Sequence, residues 1–593
     1  MEYKQEFNRL IKENQPLFDA LQKAGGLEQA RDAAMTYVLD HESRTLHTMD
    51  YAHPMERSVA RRCIQTLKNI FSKRSEDLSA YSALEALWRM AAGETPEVTP
   101  AFLADVRHLL TGMRGETGQY HMTEGPAEDS MSSREISRNR SNVLDGIARQ
   151  ALERERSYVS GLEESIIQKR KARKERIMAY FGATEEQWQD WTWQCRNVIR
   201  NVETAEAVIQ LTDDEKEAIR IARAHHVPFG ITPYYAMLMD EETDRHLDHA
   251  VRAQVLPPLR YSNFLANLKT DREDELDFMG EHDTSPEELI TRRYPMISIF
   301  KPYNTCSQIC VYCQRNWEIE DVLAQDAQAP TNKLQQAIDW YREHPEVTEV
   351  LVTGGDPAIM SDQVFKKLLD QLCALDHIKR IRVGTRIPVV MPMRITDDFA
   401  DLLEQYHVPG KREVCVMTHF EHSYEITPES MEAVQKLRKR RISVYNQGVF
   451  TMENARRFEM VALRKDLRRI GVDPYYTFNT KGKEETLDYR LPIARLIQEQ
   501  TEEARLNPGV ERTDEAVFNI PRLGKNYLRA GQDHEVIMIL PGGERVYEFY
   551  PWDLSTEDTS PYIHVDLAIQ EFLDKIRDRG ENPEDYSSIW YYV

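Results

Sequence analysis

Three cysteines, Cys306, Cys310 and Cys313, sit close together in the stretch TCSQICVYCQRNWE with the spacing C-x3-C-x2-C. Thiolates so spaced suit a metal. A structural zinc site is closed by four protein ligands, and an iron–sulfur electron carrier normally takes four thiolates. The next cysteine along the chain is Cys373, so no nearby residue completes a set of four. Three thiolates on a four-iron cluster leave one iron free to bind another molecule, and that vacancy is the chemistry the spacing points to.

Other polar groups fall at comparable places. TGGDP contributes Gly354, Gly355 and Asp356. Glycine lets a backbone approach a ligand closely, and the carboxylate can accept from an ammonium group. Thr385 and Arg386, His419, Gln447 and Lys481 each follow an apolar run of strand-like pattern. The elements that must position them read as PMISIFKPY, VTEVLVTGGD, KRIRVGTRI, EVCVMTHF, ISVYNQGVF and DPYYTFNT, six strands. Between them lie amphipathic helical stretches such as NKLQQAIDWYREH and DQVFKKLLDQLCAL. TPESMEAVQKLRKR opens with Thr427 as N-cap and Pro428 at the first helical position. Strict alternation of strand and helix predicts a parallel sheet, open or curved into a partial barrel, with its chemistry at the C-terminal strand ends. Every polar group named above falls at such an end.

The rest of the chain frames this core. At 593 residues it exceeds a single hydrophobic core. Residues 1–179 read as a helical extension, 180–292 as helical segments packing on the core, 293–485 as the barrel and 486–593 as an α+β segment. In that last segment HEVIMILPGGERVYEFYPWD predicts a hairpin turning at PGGE, covering the site or an oligomer contact. A polar, glycine-rich stretch between Gly112 and Ser133 predicts a loop. The basic run QKRKARKER, Gln168 to Arg176, predicts a solvated helix face. Acidic residues exceed basic ones by 98 − 76 = 22, which disfavours nucleic acid as a partner. No apolar run is long enough to span a bilayer and the N-terminus has no apolar segment of a signal peptide, so a cytoplasmic protein is expected. Seven cysteines in so long a chain fit that reducing compartment.

The cysteine loop at the end of a first barrel strand resembles the radical S-adenosylmethionine superfamily. RYP, CSQICVYCQR, TGGDP, RVGTRIPVVMPMRIT, THFEHSYEIT, YNQ and DPYY follow in order, with WQDWTWQCRN and ITPYY upstream. Together they are similar to the lysine 2,3-aminomutase family over roughly Thr184 to Asp553. The resemblance implies a partial (βα)6 TIM-like barrel, a [4Fe-4S] cluster on Cys306, Cys310 and Cys313, S-adenosylmethionine on the open iron, and pyridoxal 5′-phosphate. It places Gly354, Gly355, Asp356 and His419 beside S-adenosylmethionine. It places Arg293, Tyr294 and Gln447 around pyridoxal phosphate, with Lys525 of FNIPRLGKN as the Schiff-base lysine, though the family turn has more glycines. A second cofactor-facing arginine expected four residues after Arg293 is Ile297 here. Arg315 matches the arginine that grips the substrate α-carboxylate, and a guanidinium fork suits that task. The C-terminal zinc site of some lysine members is not expected, since no cysteine follows Cys415. An electron donor such as flavodoxin or ferredoxin and a homo-oligomer are further implications.

Substrate class follows from charge. Lysine enzymes of the family hold the substrate ε-ammonium with two aspartates, and the matching positions here are Lys481 and Asn519. A cation at short range from an ammonium is opposed by roughly 4 kcal/mol at 4 Å and an effective dielectric of 20. A side-chain carboxylate instead meets a cation and an amide donor. The expected reaction is therefore interconversion of glutamate and β-glutamate by 2,3-amino migration. Lysine or another amino acid is the alternative substrate, and an iron–sulfur electron carrier the alternative class.

Overall fold

The structure, a computed structural model, describes residues 2–47, 54–119, 131–241, 246–268, 276–480, 482–521, 524–528, 534–549 and 561–593. The chain forms two compact units. One comprises Ala151–Tyr489 and Glu503–Lys525, the other Met1–Gln150, Arg490–Glu502 and Asn526–Val593.

The first of these carries the barrel. Its strands are β1 (Ile290–Thr291), β2 (Ile297–Tyr303), β3 (Glu349–Gly354), β4 (Arg380–Gly384), β5 (Glu413–Thr418), β6 (Ser443–Phe450), β7 (Asp473–Asn479) and β8 (Glu515–Ile520), with β9 (Gly524–Tyr527) last in the sheet. The nine follow one another in sequence order. β1 is antiparallel to β2, and β2 through β8 are parallel. The six expected strands are β2 to β7, and the parallel half-barrel bears out the expected fold. β8, expected only as a short strand before the lysine turn, pairs with β7 as a seventh parallel strand.

Period-two alternation tells the faces of the sheet apart. On β2, Ser298 and Phe300 meet Tyr341 of the helix Thr331–Glu343, by an oxygen–oxygen contact of 2.7 Å and a ring contact of 5.8 Å. Ile297, Ile299 and Lys301 therefore face the barrel interior. Val350 and Val352 of β3 are likewise fully buried towards the helices, while Leu351 and Thr353 keep partial exposure. Three of the five crossover helices start on a side-chain cap: Ser361 accepts from Val364 N–H, Thr396 from Phe399 N–H and Thr427 from Ser430 N–H. A cap of this kind contributes about 1 kcal/mol and fixes where the strand-end loop stops.

The basic run is not a wholly solvated face. It lies in the helix Glu164–Phe181, where Arg170 and Arg173 are buried. Arg170 donates to the Tyr424 carbonyl, and Arg173 donates to the Met237 carbonyl at 3.3 Å and pairs with Asp240. Spaced three residues apart, these two share the inward side and satisfy backbone carbonyls there.

The other unit joins the ends of the chain. Helices from Tyr3–Glu13 to Pro100–Met113 bury Leu10, Leu21, Leu87, Leu103 and Leu109 together with Ile537, Met538 and Ile539 of β10 (His534–Ile539) and Val546 of β11 (Arg545–Phe549). β10 and β11 form the expected hairpin, and β12 (Tyr562–Val565) adds a third strand. Gly543 in its turn has φ +94°, and a Cβ there would lie 2.6 Å from that of Ala101. Arg545 is held between Asp105 and the carbonyls of Trp590 and Tyr592, all at 2.6–2.9 Å. Residues 120–130 of the expected Gly112–Ser133 loop lie outside the described residues. No helix among the described residues is long and apolar enough to cross a membrane.

Candidate metal and cofactor site

The cysteine loop follows β2 and is tied down by its own backbone. Leu323 N–H donates to Cys306 O (3.1 Å), Ile309 N–H to Gly230 O (3.0 Å) and Val311 N–H to Gln254 O (2.8 Å). Thr305 Oγ1 donates to Asp321 O at 2.7 Å. The glycine turn after β3 is pressed against this loop. Gly355 N–H donates to Tyr303 O (2.7 Å) and Asp356 N–H to Thr305 O (2.8 Å). A Cβ on Gly355 would sit 2.1 Å from Thr305 O, and Gly354 has φ +109°. The glycines let two loops meet backbone to backbone.

Asp356 spends its carboxylate inside the protein. Oδ1 accepts from Thr385 Oγ1 at 2.6 Å and from Ala358 N–H at 3.1 Å, and Oδ2 accepts from Arg386 N–H at 2.8 Å. The turn after β3 is thereby tied to the end of β4. Burial outweighs these bonds and raises the carboxyl to about 6.

Arg386 was not singled out for a role by sequence beyond its strand-end position. Its Nη1 donates to Cys310 Sγ at 2.9 Å, Nη2 to Glu425 Oε1 at 2.8 Å and Nε to His419 O at 3.2 Å. Burial pushes the Cys306 and Cys310 thiols up, Cys310 despite this cation and Cys306 despite Arg315. Bare thiolates are therefore disfavoured here, and a strongly positive partner such as an iron centre reverses that balance. His419, beside Arg386, is lowered to about 4, first by burial and then by that charge, so its imidazole is neutral at pH 7.

A second constellation surrounds Glu281. Its carboxylate lies 3.4 Å from Lys301 Nζ, 3.5 Å from Arg315 Nη1 and 3.6 Å from Arg293 Nη2, and all four side chains are less than 10% exposed. The three cations overcome burial and hold Glu281 at about 2. Lys301, buried beside two arginines, is lowered to about 8. Arg315 also pairs with Glu318. Among the described residues, Nε of Arg315 and Nε of Arg293 make no hydrogen bond.

The third grouping is at Lys525. Its amine lies 4.8 Å from the Tyr294 ring centre and 5.2 Å from that of Tyr476. Its backbone N–H donates to Tyr294 Oη at 2.7 Å. Gly524, at φ +95°, would place a Cβ 2.4 Å from that same oxygen, so this glycine lets the tyrosine reach the lysine turn. Burial, then Arg382 and Arg293, lowers Lys525 to about 8. Arg293 thus acts on both the Glu281 and Lys525 groupings.

Gln447 lies on β6 with partial exposure, and Asn519 is buried on β8. Lys481 lies outside the described residues. Its neighbour Lys483 turns inward, with Nζ 2.6 Å from Asn316 Oδ1 and 2.7 Å from Glu485, next to the cysteine loop. Sequence reasoning missed Glu281, Lys301 and Lys483. The signal for Lys301 was a lysine inside the apolar strand ISIFKPY; Glu281 carried none.

Residues 300–497 match the Radical SAM superfamily. The chain is 42% identical to an uncharacterized KamA family protein of Methanocaldococcus jannaschii, over 97% of this chain and 95% of that one. It belongs to the KamA family of radical S-adenosylmethionine proteins. This KamA family protein is also 36% identical to the glutamate 2,3-aminomutase of Clostridioides difficile, over 54% of its length and 72% of the relative's. It is 37% identical to the L-lysine 2,3-aminomutase of Bacillus subtilis over 53% of its length, spanning 63% of that relative. Radical SAM membership implies a [4Fe-4S] cluster and S-adenosylmethionine, and both named relatives are amino-group isomerases.

Proposed function

We propose that this protein is a radical S-adenosylmethionine, pyridoxal phosphate-dependent aminomutase that interconverts L-glutamate and β-glutamate. The observation that carries the reading is the pair Lys481 and buried Asn519 at the two positions where lysine enzymes of the family hold acids, and the surplus of buried cations, Arg293, Lys301 and Arg315 around Glu281, goes with it.

The residues suit the three groups the reading requires. Cys306, Cys310 and Cys313 offer three thiols; burial raises the first two, and Cys310 already accepts from a guanidinium. Lys525 offers an amine lowered to about 8 between two aromatic rings, and the unbonded Nε of Arg293 offers a donor to a phosphate. When bound, these groups supply reductive generation of a carbon radical and stabilisation of the migrating nitrogen.

The chain's own residues do the rest. The three thiolates would hold the cluster, and Arg386 donates to the Cys310 sulfur, drawing negative charge from it. The Gly354–Asp356 turn and neutral His419 line the nucleotide side, where an uncharged imidazole can accept or donate without adding a cation. Lys525 presents a neutral amine near pH 8, Tyr294 fixes its backbone, and Gln447 lies on the inward face of β6. Arg315 takes the α-carboxylate, and Lys481 with Asn519 takes the distal one. The half-barrel would shield that chemistry from water and oxygen.

The test is product analysis by NMR with an amino-acid panel after anaerobic reconstitution. β-Glutamate from glutamate supports the reading. Turnover of lysine with glutamate ignored overturns it. Lys481→Asp combined with Asn519→Asp should abolish glutamate turnover and leave the cluster intact; unchanged glutamate kinetics would discard the distal-pocket assignment.

A further inference from the structure

We propose that Lys301 is a substrate-side binding residue, the third cation of a buried receptor for an oxyanion. The inference deepens the proposed function and rests on it.

The placement argues for a ligand. Lys301 lies on the inward face of β2, between the cysteine loop that follows and the Arg293–Tyr294 segment that precedes. Its backbone runs against the turn after β3: a Cβ on Gly354 would lie 3.4 Å from Lys301 Cα. Three cations face Glu281, and Glu318 supplies a second carboxylate on Arg315 alone. Three positive charges against two negative ones leave one in excess within a buried set. An isolated buried charge is costly unless paired. The Nε groups of Arg315 and Arg293 make no hydrogen bond and point the same way, because buried guanidinium nitrogens are seldom left without an acceptor. A carboxylate or phosphate entering between Arg315, Arg293 and Lys301 balances the charge and accepts those hydrogen bonds. An ammonium-bearing side chain entering there adds to the surplus.

The oxyanion has two sources, a carboxylate of the amino-acid substrate or the phosphate of pyridoxal phosphate, and the experiment separates them. Lys301→Met keeps the side-chain volume and removes the charge; Lys301→Gln repeats the test if Met fails to fold. Pyridoxal phosphate affinity is read by absorbance titration of the apoprotein. Amino-acid affinity is read by perturbation of that absorbance in the holoenzyme, for glutamate and for norvaline, whose side chain is similar in length but uncharged. For a substrate carboxylate, glutamate affinity falls roughly 10- to 100-fold, the scale of one hydrogen bond to a charged group. Norvaline affinity falls with it where Lys301 meets the α-carboxylate that Arg315 grips and holds where it meets the distal one; pyridoxal phosphate affinity stays within about twofold, and Lys301→Arg restores glutamate binding. For the phosphate, the loss of that size moves to the apoprotein titration. Wild-type affinity for both ligands in Lys301→Met overturns the inference. Wild-type protein that binds no glutamate overturns instead the proposed function, whatever the variant does.

Discussion

Lys525 gives the sharpest test of how the barrel prepares its chemistry. An ordinary lysine amine titrates near 10.5, whereas burial and the charges of Arg382 and Arg293 lower this one to about 8. At pH 7 roughly one amine in ten is then neutral and nucleophilic, against about one in three thousand for a solvated lysine. The gain is roughly 300-fold, the antilogarithm of 2.5 pH units. Capture of pyridoxal phosphate by the apoprotein should therefore rise with pH through about 8 and level off above it. The assay is stopped-flow absorbance across pH 6 to 11, with Lys525→Arg as the blank. Arg382→Gln should move the midpoint upward, because it removes a cation that favours the neutral amine. The same shift acts on stability. Between about 8 and 10.5 the unfolded chain binds more protons than the folded one, so stability rises with pH across that window. At pH 7 the buried amine opposes folding by up to about 3 kcal/mol, 2.5 units at 1.36 kcal/mol each. A capture midpoint at 10.5, or one unmoved in Arg382→Gln, would refute the argument from burial and neighbouring charge.

Two further outcomes follow from the geometry. Gly355→Ala forces a Cβ to within 2.1 Å of the Thr305 carbonyl, so the cysteine loop must move; iron and sulfide content after anaerobic reconstitution should drop severalfold while helix content holds. In the other unit, Asp105→Ala strands the buried Arg545 guanidinium, and urea denaturation should report a loss of about 3–5 kcal/mol.

The barrel was legible because its signals are local. Most strands from β2 to β7 alternate buried and partly exposed residues over five to eight positions, and three of the five crossover helices carry a cap at a recognisable Ser or Thr. The cysteine loop and the lysine turn were legible from spacing and residue type. What escaped depends on distant partners. Glu281 is one acid among 98 Asp and Glu residues, and only the folded chain brings Arg293, Lys301 and Arg315 to it. Asp356 looked free to meet an ammonium group, yet its oxygens are taken by Thr385, Ala358 and the Arg386 backbone across to the next strand. β8 was expected as a strand, but its pairing with β7 joins segments separated by a long connection and carries no local signal. The packing of β10 on N-terminal helices joins segments more than four hundred residues apart, and nothing in either segment names the other.

Charge and length divide the work of specificity on this reading. A cationic pocket separates amino acids by the sign of the side chain: an ammonium at 4 Å from a like charge is opposed by roughly 4 kcal/mol at an effective dielectric of 20. On this reading that removes lysine, and the surplus positive charge around Glu281 acts in the same direction. Length is a weaker discriminator, since one methylene is worth about 1–3 kcal/mol. Glutamate and aspartate therefore compete for the same cations and differ in reach. A pocket spanned by Arg315 at one carboxylate and Asn519 at the other should favour glutamate by roughly 10- to 200-fold in kcat/KM. The discriminating measurement is competition between the two acids in a single reaction. Equal turnover would mean that charge chooses the class and that the distance between Arg315 and Asn519 chooses nothing.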